Sequence, residues 1–273
     1  MGEYKIIETT KKDTIILEKF EGGVARITLN RPEKRNAWNL QMLTDYFGTL
    51  EELKPDDSIK VIISTGAGDV AFTAGRDVST LRGMMEDPRG DYSGYTDYNI
   101  WDRLRLYPKV TIAAVNGFCL GASITFLVDH DIAIASEENA KFGLPEIIRG
   151  FVPRTPVSSL FKAIPRKWAF DMTLTGSNFD AQKALQAGLV SRVVPHKQLQ
   201  DAALELALMM GKYDALVLEC CKLGAHASMD LSDFRSAMEM GSNYHWVAQR
   251  QKLETATGAL KAFEEGKGTR AKF

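Results

Sequence analysis

The sequence predicts an α/β fold with a helical C-terminal third, on three observations. Short continuous apolar runs at residues 61–64, 110–115 and 131–135 read as strands buried on both faces. Helical spacing alternates with such runs, the arrangement of βα units whose ligand groups lie at strand ends. From about Thr155 onward, helical periodicity replaces the strand pattern almost entirely.

Residues 14–20 and 24–29 are alternating apolar runs joined across Glu21-Gly22-Gly23, a hairpin signal. Arg31-Pro32 ends the second run, because proline cannot donate to a strand ladder. Residues 39–53 then place Leu40, Leu43, Tyr46, Phe47 and Leu50 at helical spacing. The strand at 61–64 runs into Thr65-Gly66-Ala67-Gly68, and the one at 110–115 into Asn116-Gly117. Residues 79–102 are polar, with interspersed Gly and Tyr, and read as a mobile surface loop able to cover a pocket. Helices follow at 157–164, 167–175, 181–187, 199–210 and along 230–263. A faint recurrence of strand-strand-helix spacing suggests a spiral of repeated units.

Composition narrows the function classes. A chain of 273 residues fits one large domain or a main domain with a smaller appendage. An apolar fraction of 45%, a charged fraction of 25% and a formal net charge of -1 describe an ordinary globular protein without a field to attract nucleic acid. The N-terminal Met1-Gly2-Glu3-Tyr4-Lys5 carries no apolar signal region, and no run reaches the roughly 18 apolar residues of a membrane span, so a cytoplasmic protein without a membrane partner is expected. Cys119, Cys220 and Cys221 make neither a disulfide framework nor a zinc site and read as buried thiols. His130, His196, His226 and His245 show no metal-ligand spacing, so no metal is expected. His245, with Tyr244 and Trp246, reads as packing or as the lining of a pocket.

Three segments carry the chemistry. Ala71-Phe72-Thr73-Ala74-Gly75-Arg76-Asp77 and Asn116-Gly117-Phe118-Cys119-Leu120-Gly121-Ala122-Ser123 bring small residues to the ends of apolar runs, where backbone amides can meet a ligand. Two amides aimed at one oxygen stabilise an enolate. Phe142-Gly143-Leu144-Pro145-Glu146 supplies a carboxylate on a Gly/Pro-bounded turn, able to move a proton beside that enolate.

Taken with Leu29-Asn30-Arg31-Pro32-Glu33-Lys34-Arg35-Asn36-Ala37, Ala113-Ala114-Val115-Asn116-Gly117, Leu174-Thr175-Gly176, Ala187-Gly188-Leu189-Val190 and Ala262-Phe263, these segments fall in the order and spacing of one family. The chain resembles the crotonase superfamily, the enoyl-CoA hydratase/isomerase fold, nearly end to end. The resemblance implies an α/β spiral of ββα repeats over residues 1–200, holding a CoA thioester site. It implies a helical oligomerisation region over 201–273 that builds a homotrimer or homohexamer. It implies an acyl-CoA thioester as substrate, with no cofactor beyond the coenzyme A that the substrate carries. Carried over residue by residue, the oxyanion donors are the backbone amides of Arg76 and Ala122, the helix beginning near Ala122 adding its positive end. Glu146 is the acid/base, and Thr125 stands where the two-glutamate hydratases place their other glutamate. The CoA thioester is contacted by Lys34, Arg35, Ala74, Asp77, Gly121, Phe263 and Lys267. Gly266 occupies the expected basic position near the C-terminus, with Lys267 one residue late.

A single glutamate leaves several reactions open. Hydration of an α,β-unsaturated acyl-CoA, the acyl group read as cyclic or aromatic rather than a short straight chain, is the leading expectation. A Δ3,Δ2-enoyl-CoA isomerase needs only one base. A hydroxycinnamoyl-CoA-type hydratase-lyase is similar around Glu146, although Leu81 stands where those enzymes carry their phenol-binding tyrosine. A weakly catalytic acyl-CoA-binding subunit is the reading from another class. Thr125 either bonds back to its own helix or positions water. The side chain of Arg76 can pair with Asp77, face solvent or hold an anionic substrate group. Arg149 and Arg154 read first as outward-facing charges, with tuning of Glu146 or binding of a substrate carboxylate as the alternatives.

Overall fold

The computed structural model describes residues 4–79, 103–251 and 261. The loop expected at 79–102 lies outside them but for Ser79, as do Leu81, Phe263, Gly266 and Lys267. The chain divides into two compact units, Met1–Tyr213 and Asp214–Phe273.

In the first unit the expected hairpin forms from β2 (Ile15–Phe20) and β3 (Val24–Leu29). An unanticipated strand, β1 (Ile6–Lys11), pairs antiparallel on its outer edge. Its side chains are almost all exposed, so no alternation marks it; only pairing with β2 makes it a strand. Beyond β3 the sheet continues in parallel through β4 (Val61–Gly66), β6 (Val110–Val115), β8 (Ile132–Ser136) and β11 (Arg192–Val194). Every residue of β4 and β6 is buried, as in parallel strands covered on both faces.

A second sheet, in the order β10-β9-β7-β5, is built from very short strands: β5 (Ala71–Thr73), β7 (Phe118–Leu120), β9 (Lys141–Gly143) and β10 (Phe179–Asp180). The successive pairs β4/β5, β6/β7 and β8/β9 each give one strand to each sheet. That alternation winds the chain as a spiral, and the chain must reverse tightly between the members of a pair. Glycine supplies the room: a Cβ on Gly117 would collide with the Val70 carbonyl, and one on Gly66 with the carbonyls of Ala71 and Phe72. Asn116 locks this crossing, its Nδ2 donating to Gly66 O at 2.9 Å and to Gly68 O, while its Oδ1 accepts from Gly66 N–H.

The helix Leu40–Leu53 begins where Asn39 accepts from the Met42 N–H, and it buries Met42, Tyr46, Phe47, Leu50 and Leu53. Its Tyr46 joins an aromatic cluster centred on Phe126 of the helix Ser123–Val128. Phe126 meets Trp38 at 4.9 Å, Tyr46 at 5.2 Å, Phe72 at 5.6 Å and His130 at 4.6 Å between ring centroids. Buried His130 closes the far end of that helix. Its Nδ1 donates to the Phe126 carbonyl at 2.7 Å, its Nε2 meets Ser64 Oγ at 2.9 Å, and the Tyr46 hydroxyl meets the same Ser64 oxygen at 2.8 Å. Packing and this relay fix a helix too short to stand alone. The helices Arg154–Ala163, Arg166–Thr175, Ala181–Gln186 and Leu199–Gly211 follow within two or three residues of expectation.

The second unit contains Ala215–Met229 and Phe234–Gln251, which pack together with Gly224 against Tyr244. The former was not legible as a helix, because Leu216, Val217, Leu218, Cys220, Cys221 and Leu223 leave no one-sided apolar stripe. Asp214 caps it, accepting from the amides of Leu216 and Val217. Successive helix residues point about 100° apart, so the cysteine pair cannot share a face. Cys220 is buried and Cys221 exposed, which corrects the expectation of three buried thiols. His245 and Trp246 lie on the exposed side of their helix. Among the described residues, no helix is long and apolar enough to cross a membrane.

Candidate active site

Two backbone segments meet at the mouth of the second sheet. After β5, Ala74 to Asp77 is strapped to the stretch before the first helix. Ala74 N–H donates to Arg35 O, Trp38 N–H to Gly75 O at 2.8 Å, and Asp77 N–H to Trp38 O. The stretch 35–36 is itself left-handed, with φ of 51° at Arg35 and 53° at Asn36. Asn36 tolerates this because its side chain completes the turn, accepting from Arg31 N–H and donating to the Ala67 and Ala71 carbonyls. After β7, Gly121 turns the chain at φ +62° and donates to Gly143 O, so that Ala122 opens the helix Ser123–Val128.

The two segments touch at Gly75. A Cβ built there would lie 2.7 Å from Leu120 O and 3.4 Å from Ala122 N. The amide following Gly75, that of Arg76, and the amide of Ala122 therefore border one spot. A buried clasp holds them together: Ser123 Oγ donates to Thr73 Oγ1 at 3.1 Å, and the same Thr73 oxygen accepts Gly75 N–H at 3.3 Å. Sequence reasoning missed the clasp. Its only signal was one hydroxyl residue in each small-residue segment.

Glu146 completes the arrangement from the third segment. It follows β9 and opens a tight turn, Ile147–Arg149, its carbonyl accepting from Arg149 N–H and Phe151 N–H. A Cβ on Gly121 would sit 2.9 Å from Glu146 Oε1, so glycine at 121 admits the carboxylate beside the Ala122 amide. The other oxygen, Oε2, is buried without a hydrogen-bond partner. Burial pushes the carboxyl above the ordinary glutamate range, opposed by its own backbone N–H and by the nearby charge of Arg149. A half-buried carboxyl with raised pKa beside two convergent amides is equipped to carry a proton to and from a carbon next to a stabilised oxyanion.

A family profile described as enoyl-CoA hydratase/isomerase matches residues 19–268. The chain belongs to the enoyl-CoA hydratase/isomerase family. It is 36% identical over 244 residues to 2,3-dehydroadipyl-CoA hydratase of Escherichia coli, covering 89% of this chain and 90% of that protein. It is 35% identical over 223 residues to hydroxycinnamoyl-CoA hydratase-lyase of Pseudomonas fluorescens, covering 78% and 79%. Its fold matches a crystal structure of enoyl-CoA hydratase from Mycobacterium smegmatis with a TM-score of 0.86 at 25% identity, over 95% of this chain and 99% of that one.

The remaining site residues of this family member are placed as follows. Thr125 is buried in the helix Ser123–Val128, and Ser159 Oγ, from the helix Arg154–Ala163, donates to its hydroxyl at 3.5 Å. Lys34 and Arg35 are exposed at the turn that Ala74 N–H holds, beside the first oxyanion segment. Asp77 engages Ser79 through both its hydroxyl and its N–H, and Arg31 at 3.1 Å, contacts that hold its carboxyl below the usual range. Arg31 also donates to Ala37 O, so the Asp77 carboxylate braces the strap rather than standing open to a ligand. Arg76 is half-buried and Arg149 exposed. The structure thus brings Ala74, Gly75, Arg76, Gly121, Ala122 and Glu146 together.

Proposed function

We propose that this chain is an enoyl-CoA hydratase, adding water across the α,β double bond of an acyl-CoA thioester. The observation that carries the reading is the meeting of the Glu146 carboxylate, across Gly121, with the spot bordered by the Arg76 and Ala122 amides. The thioester oxygen accepts from both amides. Glu146 removes a proton from water as the water oxygen bonds to the β carbon, and the π electrons move through the α carbon to the thioester oxygen. The enolate so formed is what the two amides stabilise. Protonated Glu146 then delivers its proton to the α carbon and the thioester carbonyl reforms. With one carboxylate, the proton taken from water is the one returned to carbon.

Lys34 and Arg35 suit the phosphates of the CoA nucleotide, since both are exposed at the rim beside Ala74. No resident cofactor enters the sequence of steps. The single carboxylate, with Thr125 at the second position, also favours one other reading, transfer of a proton between the α and γ carbons by Glu146 alone. Assembly as a homotrimer or homohexamer in the cytoplasm belongs to the same proposal, and light scattering on the purified chain reads its mass. Glu146→Gln tests the reaction. Removing a general acid/base costs about 10²–10⁴-fold in turnover, and turnover within a few-fold of wild type, with CoA binding intact, sinks the assignment.

A further inference from the structure

Arg31 follows β3, and the reaction as proposed gives its side chain no task. Its backbone is fixed by the turn it opens, the N–H donating to Asn36 Oδ1 at 3.0 Å and the carbonyl accepting the Asn36 N–H at 2.9 Å. The guanidinium divides its donors between two acceptors. Nη1 donates to Ala37 O at 2.6 Å and Nη2 to Asp77 Oδ2 at 3.1 Å. The Arg31 and Asp77 side chains are only 15% and 14% exposed, so water screens these contacts weakly. Ser79 also donates to the Asp77 carboxylate, through its N–H and its hydroxyl, which keeps the counterion of the guanidinium in place.

Ala37 O belongs to the peptide group that also carries the Trp38 N–H, and in a trans peptide the C=O and the N–H point in opposite directions. The Trp38 N–H donates to Gly75 O at 2.8 Å. Gly75 O in turn belongs to the peptide group that carries the Arg76 N–H, one of the two oxyanion donors. Trp38 and Arg76 form a parallel bridge, in which Trp38 engages Gly75 and Asp77 on either side, so the Arg76 N–H itself points away from Trp38. A relay of two peptide groups thus runs from the Arg31 cation to the thioester oxygen. Ala37 and Trp38 are buried along it. Hydrogen bonds in series polarise one another, each donation making the next N–H a better donor. With the cation at one end and negative charge developing at the other, the relay strengthens as the enolate forms.

We infer that Arg31 is a positioning residue for the reaction, acting through the peptide groups 37–38 and 75–76 to aim and polarise the Arg76 amide, on the reading that Arg76 and Ala122 bind the thioester oxygen. Arg31 touches no substrate atom in this role. No bond is made or broken there and no proton moves.

The infrared carbonyl stretch of a saturated acyl-CoA, labelled with carbon-13 at the thioester carbon and bound to the full-length protein, reads the oxyanion donors without any reaction. Wild type should lower that frequency relative to the free thioester. Arg31→Met removes the head of the relay and should lower it less, with the hydration kcat down roughly ten-fold, a part of the 10²–10³ lost with a whole donor, and KM little changed. Arg31→Lys cannot reproduce the fork to Ala37 O and Asp77 with one ammonium, so it should fall between the two, and it decides the matter if the methionine variant does not fold. A variant that melts lower yet keeps the wild-type frequency and kcat well below its melting temperature assigns Arg31 to the fold alone and overturns the inference, as does a change in KM alone. Wild type that lowers the carbonyl frequency but hydrates no enoyl-CoA overturns the hydratase reading and leaves the inference to the frequencies of the variants. Wild type that binds the acyl-CoA without lowering its frequency overturns the oxyanion assignment and the inference together.

Discussion

Gly75 holds the two oxyanion segments in register, and Gly75→Ala perturbs that register with little else. The added Cβ would lie 2.7 Å from Leu120 O and 3.4 Å from Ala122 N. An ordinary contact begins at 3.4 Å, so one segment must yield. The Gly75 side is strapped by Trp38 N–H at 2.8 Å and by Ala74 N–H on Arg35 O, which leaves the Leu120–Ala122 segment to retreat. Oxyanion donors act over about 2.7–3.1 Å, so a retreat of that size removes most of one donor, a loss of roughly 10²–10³ in kcat. A φ of +91° adds strain for alanine, which costs about 1–3 kcal/mol, within a typical stability of about 5–15 kcal/mol. The variant should fold, melt lower and turn over far more slowly, with KM changed much less. Steady-state kinetics on an enoyl-CoA, together with a melting curve, reads both effects. A folded Gly75→Ala protein with wild-type kcat would refute the claim that the Arg76 and Ala122 amides share one oxyanion.

Thr73→Val removes the acceptor of both Ser123 Oγ and Gly75 N–H while keeping the volume, so kcat should fall with KM nearly constant; a change in KM alone would place the clasp outside catalysis. Glu146 has a native pKa above its reference of 4.5, the reverse of the usual carboxylate case. The stability its neutral form provides is complete below 4.5 and lost as pH rises through the raised native value. Glu146→Gln should accordingly melt higher than wild type at neutral pH, by about 2–4 °C per kcal/mol, and equally at pH below 4.5; a variant less stable at neutral pH contradicts the burial of that charge. The same shift places the acid limb of kcat/KM above the ordinary glutamate range, and Arg149→Ala should move it higher still, because the arginine charge opposes the shift.

Legibility followed the length scale of the interaction. The hairpin and the helix Leu40–Leu53 were readable because alternation, the Arg31-Pro32 break and the helical spacing all act within a few residues. The strands of the second sheet were not, since β5, β7 and β9 are only three residues long and show no period. Their glycines were readable all the same, because a backbone that must pass close to another tolerates little else. The Asp77 carboxylate, expected at the ligand, is drawn off by Arg31 across a sequence separation of 46, a contact that no local pattern announces. The raised pKa of Glu146 was equally hidden, because a Pro-Glu turn is ordinarily solvated and its burial here comes from tertiary neighbours such as Gly121.

Mass spectrometry of products formed in oxygen-18 water tests the central claim most directly, with straight-chain, cyclic and aromatic enoyl-CoA thioesters offered in turn. The account predicts a labelled 3-hydroxyacyl-CoA carrying one heavy oxygen on an intact acyl chain, formed by wild type and not by Glu146→Gln. An unchanged acyl mass on every thioester, or a labelled product that Glu146→Gln forms as readily, would contradict it.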